Sequence, residues 1–128
     1  MKWLALVALA ACGGDSTPAQ QMDAPTKKDA AQAATVVTVD CGSTAAQATV
    51  TTTDAMMSYS PMATTITMGQ VVKFQTSLAH DVKPNPLNHP DPGLTVDFNT
   101  TKCLRFTSTG TFGFMCSAHG FVGTVTVN

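Results

Sequence analysis

The sequence predicts an all-β domain, an antiparallel Greek-key sandwich or barrel of about seven or eight short strands. Three observations carry that expectation. Thr and Val recur throughout while Glu is absent and Leu is sparse, a composition that favours pleated over helical backbone. Apolar and polar residues alternate over short runs, the period of a half-buried strand. Turn residues separate those runs at spacings of about 8 to 12 residues, as in sandwiches and barrels.

The 128 residues do not all belong to that domain. Met1-Lys2 gives a positive start, and residues 3–11 form an apolar run too short to cross a bilayer as a helix, so 1–11 reads as a signal peptide. The run closes as Leu9-Ala10-Ala11-Cys12, which resembles the bacterial lipobox. That resemblance implies that Cys12 is the lipidated mature N-terminus and anchors an exported protein to the cell envelope, in the periplasm or at the outer membrane. Residues 12–34 are mostly Gly, Asp, Ser, Pro, Gln, Ala and Lys and cannot bury enough apolar surface to order themselves, so they read as a flexible tether. The folded domain is expected over 35–128.

Within it the strands follow in order. Thr35-Val36-Val37-Thr38-Val39 and Ala48-Thr49-Val50-Thr51-Thr52 are β-branched runs, and residues 62–68 alternate Thr65 and Thr67 against Ile66 and Met68. Gly69-Gln70 turns the chain into 71–76, where Val72 and Phe74 share a face and Lys73 and Gln75 take the other. Leu78, His80 and Val82 are expected to continue an inward parity. Pro84, Pro86, Pro90 and Pro92 make 84–93 a loop, since proline cannot serve a central strand. Leu104 and Phe106 pattern the next strand, Ser108-Thr109-Gly110 turns it, Phe112, Phe114 and Cys116 share one face of 111–116, and 121–127 closes the domain.

Seven Lys and Arg against eight acidic residues leave a net charge of −1, which excludes a basic surface for nucleic acid and offers no patch for steering a charged partner. The chemistry lies elsewhere. Cys116 and His119 stand three residues apart between two β-runs, so a tight loop can converge a thiolate and an imidazole on one point. His80, alone, would read as a core histidine; with that pair it becomes a third donor approaching the same end from the other sheet. Two imidazoles and a thiolate suit copper cycling between Cu(I) and Cu(II).

Several segments together resemble the cupredoxin family of small type 1 blue copper proteins. They are Tyr59-Ser60-Pro61, Met68-Gly69-Gln70-Val71-Val72-Lys73-Phe74, Ala79-His80-Asp81-Val82 and, most specifically, the run from Phe106 through Gly110, Phe112 and Phe114 to Cys116-Ser117-Ala118-His119-Gly120-Phe121. The resemblance spans residues 59–128. It implies a one-electron shuttle with one copper ion, His80, Cys116 and His119 being its equatorial ligands. Relatives carry an axial Met at a position filled here by Val122, which cannot coordinate; a weak axial role then falls to the backbone oxygen of Ala79, and a thioether restored at 122 is expected to lower the reduction potential. Relatives also carry Asn after the first His, where this chain has Asp81, an acceptor for the N–H or hydroxyl of Ser117. The alternative readings are a copper carrier or storage protein of the same fold, and a domain that kept the fold and lost redox function.

With Cys12 reserved for lipid and Cys116 for metal, Cys41 and Cys103 remain, and in an exported protein they are expected to form a disulfide, two free thiols being the other possibility. His89, among Asn88, Pro90 and Asp91, reads as a solvated loop residue. Met56, Met57 and Met62 read as packing or surface residues rather than a Cu(I) docking site. An enzyme with Cys116 as nucleophile and His119 as base lacks a glycine-rich nucleophile turn, so no catalytic role is expected. The expected partners are redox proteins docking near the copper edge, by Phe121 and the Pro84 to Pro92 loop, and the membrane through the N-terminal lipid; the expected state is a monomer.

Overall fold

The computed structural model describes residues 33–128. The leader, Cys12 and the tether up to residue 32 lie outside the described residues. Eight strands form: β1 (Val36–Val39), β2 (Ala48–Thr51), β3 (Ala63–Ile66), β4 (Val71–Gln75), β5 (Lys83–Pro84), β6 (Thr101–Phe106), β7 (Gly110–Met115) and β8 (Val122–Val127). They make two four-stranded sheets, ordered β1-β6-β4-β2 and β3-β8-β7-β5.

The all-β sandwich is as the sequence predicts, but both sheets are mixed. β2 runs parallel to β4, and β3 parallel to β8. The reason is the path of the chain: β2, β3 and β4 alternate between the sheets, so the reversals before and after β3 return β4 to the direction of β2. The turn at Thr67–Gln70 is thus a corner between sheets rather than a hairpin within one.

Between the sheets the expected inward faces meet. Val36, Val50, Val72, Phe74, Leu104 and Phe106 from one sheet pack against Ile66, Phe112, Phe114, Val125 and Val127 from the other, all buried. Aromatic edges lock across the gap, Phe74 perpendicular to Phe114 at 5.4 Å and Phe106 against Phe112 at 5.5 Å between centroids. Deleting one such ring costs about 3–5 kcal/mol, since the neighbours close the cavity only in part.

Two apolar residues depart from their expected faces. Leu78 is 70% exposed, because residues 78–82 form no strand: the chain turns at Leu78–Ala79 and throws that side chain outward before His80 and Val82 point in. Met68 is 54% exposed, because it sits in the corner turn after β3 has ended.

The proline-rich segment is a loop, entered through β5, whose two residues pair with Met115 and Phe114 on the sheet's edge, where a proline without an N–H is tolerated. The loop then follows the β7 edge away from Met115. Asn85 donates to the Gly113 carbonyl, Gly113 donates back to Asn88, and the His89 ring stacks on Phe112 at 4.3 Å. Gly113 is required there, since a Cβ would lie 2.7 Å from that of Asn88. His89 is therefore a packed loop residue. At the end of this path the buried carboxylate of Asp91 accepts from the N–H and hydroxyl of Thr35 (2.8 and 2.7 Å), from Val36 N–H (3.3 Å) and from Gly93 N–H (2.9 Å), tying down the start of β1.

Cys41 and Cys103 are joined by a disulfide, their Cα atoms 5.3 Å apart. Val39 and Cys103 are register partners, so the bond staples the end of the edge strand β1 to β6.

Candidate metal centre

Three loops converge at the end of the sandwich opposite Asp91. β7 ends at Met115 and delivers Cys116; Gly120 N–H donates to the Cys116 carbonyl and Cys116 N–H to the Phe121 carbonyl, so residues 116–121 close as a tight loop before β8. Gly120 has φ of 79°, a conformation that favours glycine. His80 comes from the turn after β4. That turn is held by Asp54, which accepts from Ala79 N–H at 3.0 Å, and by Thr52, whose hydroxyl accepts from Ser77 N–H at 2.8 Å. The Ser77 hydroxyl and Ala79 N–H keep the exposed Asp54 carboxyl below its ordinary pKa.

The convergence brings together the three predicted donors and, among the described residues, no other cluster of this kind forms. His80 Nδ1 and His119 Nδ1 lie 3.1 Å apart, and Cys116 Sγ lies 3.7 Å from each. A triangle of those sides has a point about 2.0 Å from every vertex, close to metal bonds to imidazole nitrogen and thiolate sulfur. With one Nδ1 protonated the two imidazoles share an N–H···N hydrogen bond, and the thiol lies within reach of both nitrogens. The donors fit a soft or borderline metal ion such as copper. Nδ1 is the nitrogen that His80 turns toward the other two donors, while its Nε2 is buried without a hydrogen-bond partner. His80 and Cys116 are wholly buried, whereas His119 is exposed at the surface.

Asp81 and Ser117 are brought together as the sequence suggests. Asp81, 1% exposed, accepts from Ser117 N–H through Oδ1 and from the Ser117 hydroxyl through Oδ2, both at 2.7 Å, and so ties the His80 turn to the Cys116 loop. Sequence reasoning missed the third member of this lock. The phenol of Tyr59, also buried, donates to the Asp81 carbonyl at 2.7 Å while its ring packs on Phe114 and Phe121. The chain's one tyrosine, two residues before Pro61, was the available signal, because a buried tyrosine hydroxyl needs a partner.

Val122 supplies no donor and does not face the triangle. It opens β8 opposite Met115 with its side chain outward and 48% exposed, because the inward parity of β8 belongs to Gly123, Val125 and Val127. A thioether placed at 122 would therefore project into solvent. Phe121 borders the donors instead, its ring 4.9 Å from that of His80 and 6.4 Å from that of His119. Of the two features expected to rim the site, Phe121 is beside it and the loop 84–93 is not, since that loop descends along β7. Met56, Met57 and Met62 are surface residues, each more than half exposed.

No protein-family model matches the chain, and neither does any curated protein sequence. Solved structures do match. Pseudoazurin from Methylobacterium extorquens AM1 is 25% identical, the match covering 63% of this chain and 74% of that one with a TM-score of 0.54. Amicyanin from Paracoccus versutus (Thiobacillus versutus) is 18% identical over 74% of this chain and 99% of its own, also with a TM-score of 0.54. A mutant of amicyanin, solved in a reduced Cu(I) form, is 20% identical over 73% and 99%, with the same TM-score. The chain has the cupredoxin-like sandwich of these proteins.

Proposed function

We propose that this chain is a type 1 copper protein that carries single electrons, with His80, Cys116 and His119 as its ligands. The observation that carries this reading is the converged triangle of Cys116 Sγ and two Nδ1 atoms at one end of a cupredoxin-like sandwich. Copper, when bound, supplies a one-electron couple. The chain's own part is to hold donors and exclude water. The Asp81–Ser117 clamp and the Tyr59 hydrogen bond fix the two ligand loops against each other, so the donors move little when the charge between them changes. Phe121, itself packed on Tyr59, walls the donors with an apolar ring, while exposed His119 is the edge at which a redox partner would meet the site.

The Cys41–Cys103 disulfide supports an exported protein, since such bonds persist in oxidising compartments. Anchoring through a lipid on Cys12, with residues 12–34 as the tether of a monomeric domain, completes the reading. Addition of Cu(II) to the purified chain is expected to give an intense visible thiolate-to-copper band that is lost and regained on reduction and reoxidation. Cys116→Ser should abolish it.

A carrier that holds Cu(I) without passing electrons is the second reading. It is favoured by one observation, an apolar ring at Phe121 and an outward Val122 where a relative would offer a thioether. Tight Cu(I) binding with no coloured Cu(II) form would select it.

A further inference from the structure

We propose that Asp81 sets the valence preference of the site, making the His80–Cys116–His119 triangle favour a divalent over a monovalent ion. The inference rests on the copper reading above. Its first support is geometric. Both Asp81 oxygens are acceptors, one toward the Ser117 N–H and one toward its hydroxyl, whereas the amide oxygen of an Asn could take only one of those places. Asp81 follows His80 and Ser117 follows Cys116, so the carboxylate is tied into the chain one residue from each of two ligands.

The second support is the count of charge. Among the described residues no Lys, Arg or His forms an ion pair with Asp81. The ion pair formed among the described residues is Lys83 with Asp97, at 3.7 Å, and it does not include Asp81. Tyr59 donates to the Asp81 backbone carbonyl, leaving the carboxylate charge unscreened from that side. A cysteine that ligates a metal does so as the thiolate, so the loaded site would hold two buried negative groups, Cys116 and the Asp81 carboxylate, beside two imidazoles. A divalent ion brings that set to zero, while a monovalent ion leaves one uncompensated buried charge, which a medium of low dielectric penalises. The Tyr59 phenol feels the same set: burial first, then the negative charges of Cys116 and Asp81, push its pKa far up.

The test is a competition between Cu(I) and Zn(II), a redox-silent divalent ion, on the full chain and on Asp81→Asn, Asp81→Ser, Ser117→Ala and Cys116→Ser. Asp81→Ser is a second neutral variant with a side-chain acceptor of its own, so the result does not hang on how one variant folds. Either neutral variant is expected to shift the Zn(II):Cu(I) affinity ratio toward Cu(I) by about tenfold or more. For copper itself that is a rise in reduction potential of about 59 mV per tenfold. Ser117→Ala removes a hydrogen bond but keeps the charge, so it should weaken both ions alike and leave the ratio within about threefold. An unchanged ratio in both Asp81 variants overturns the proposal, as does a Ser117→Ala shift equal to theirs, which would make Asp81 a positioning residue alone. Should Cys116→Ser bind both ions as the parent does, the triangle is not the site and the copper reading falls with it.

Discussion

Each end of the sandwich buries an aspartate, and the two do different work. Asp91 and Asp81 are 0% and 1% exposed, among the described residues neither forms an ion pair, and each accepts from a hydroxyl and from at least one backbone N–H. Asp91 takes four such bonds and pins the first strand to the proline-rich loop. Asp81 takes two and joins the loops that carry the donors. A buried carboxylate therefore has no fixed meaning in this fold. Where its hydrogen bonds are many and no metal donors adjoin it, it closes the domain; where they are few and donors adjoin it, its charge is the feature that matters.

The comparison breaks most readily at the disulfide, which secures the same β1 from its other end. Cys41 and Cys103 are separated by 62 residues, so closing that loop in the unfolded chain stabilises the domain by about 4 kcal/mol in the chain-entropy account. The double variant Cys41→Ser, Cys103→Ser is expected to lose about that much in urea unfolding. If it loses less than about 1 kcal/mol, Asp91 alone holds β1 in place.

Asp91→Ala comes next. It strands the N–H groups of Thr35, Val36 and Gly93 and should cost about 3 kcal/mol. Asp81→Asn keeps an acceptor for Ser117 N–H and should cost less than about 1 kcal/mol, its effect falling on metal preference instead. Equal losses from both would erase the distinction between the two ends.

Acid sharpens it further. Burial works to raise the pKa of Asp91, but the hydroxyl and N–H of Thr35 and the N–H groups of Gly93 and Val36 outweigh it and hold the carboxyl below its ordinary value. A lowered folded pKa means that this stability is fully present above the unfolded value, about 3.9, and is lost as pH falls below it. Unfolding free energies measured from pH 6 downward should therefore drop in the parent below about pH 4 and drop less steeply in Asp91→Asn.

The sequence made much of this legible. Strand parity placed Val72, Phe74, Leu104, Phe106, Phe112 and Phe114 in the core, and the Cys116–His119 spacing with His80 pointed to three side chains that the fold brings together. What it could not show follows from how chain paths are set. Mixed strand directions depend on which sheet each turn enters, and that is decided by tertiary packing rather than by period. Leu78 and Met68 were misplaced because alternation was carried past the end of a strand into a turn. Asp91 and Tyr59 act through partners 56 and 22 residues away, separations to which no local pattern is sensitive.

The smallest expected effect concerns the loop between His119 and β8. Parity along β8 sends Val122 outward and leaves Phe121 against His80, so Val122→Met should change neither the visible band nor the potential by a measurable amount. Phe121→Met puts a flexible thioether beside the imidazoles, where sulfur can reach copper as a weak axial donor and lower the potential. Absorption and redox titration of the two copper-loaded variants decide between them. A shift in Val122→Met with none in Phe121→Met would mean that β8 begins one residue later when metal is bound, turning residue 122 inward. That change would open only the terminal Met115–Val122 pair of the ladder, since Gly123, Val125 and Val127 keep their register on the core face and Phe114 packs closely on Gly123.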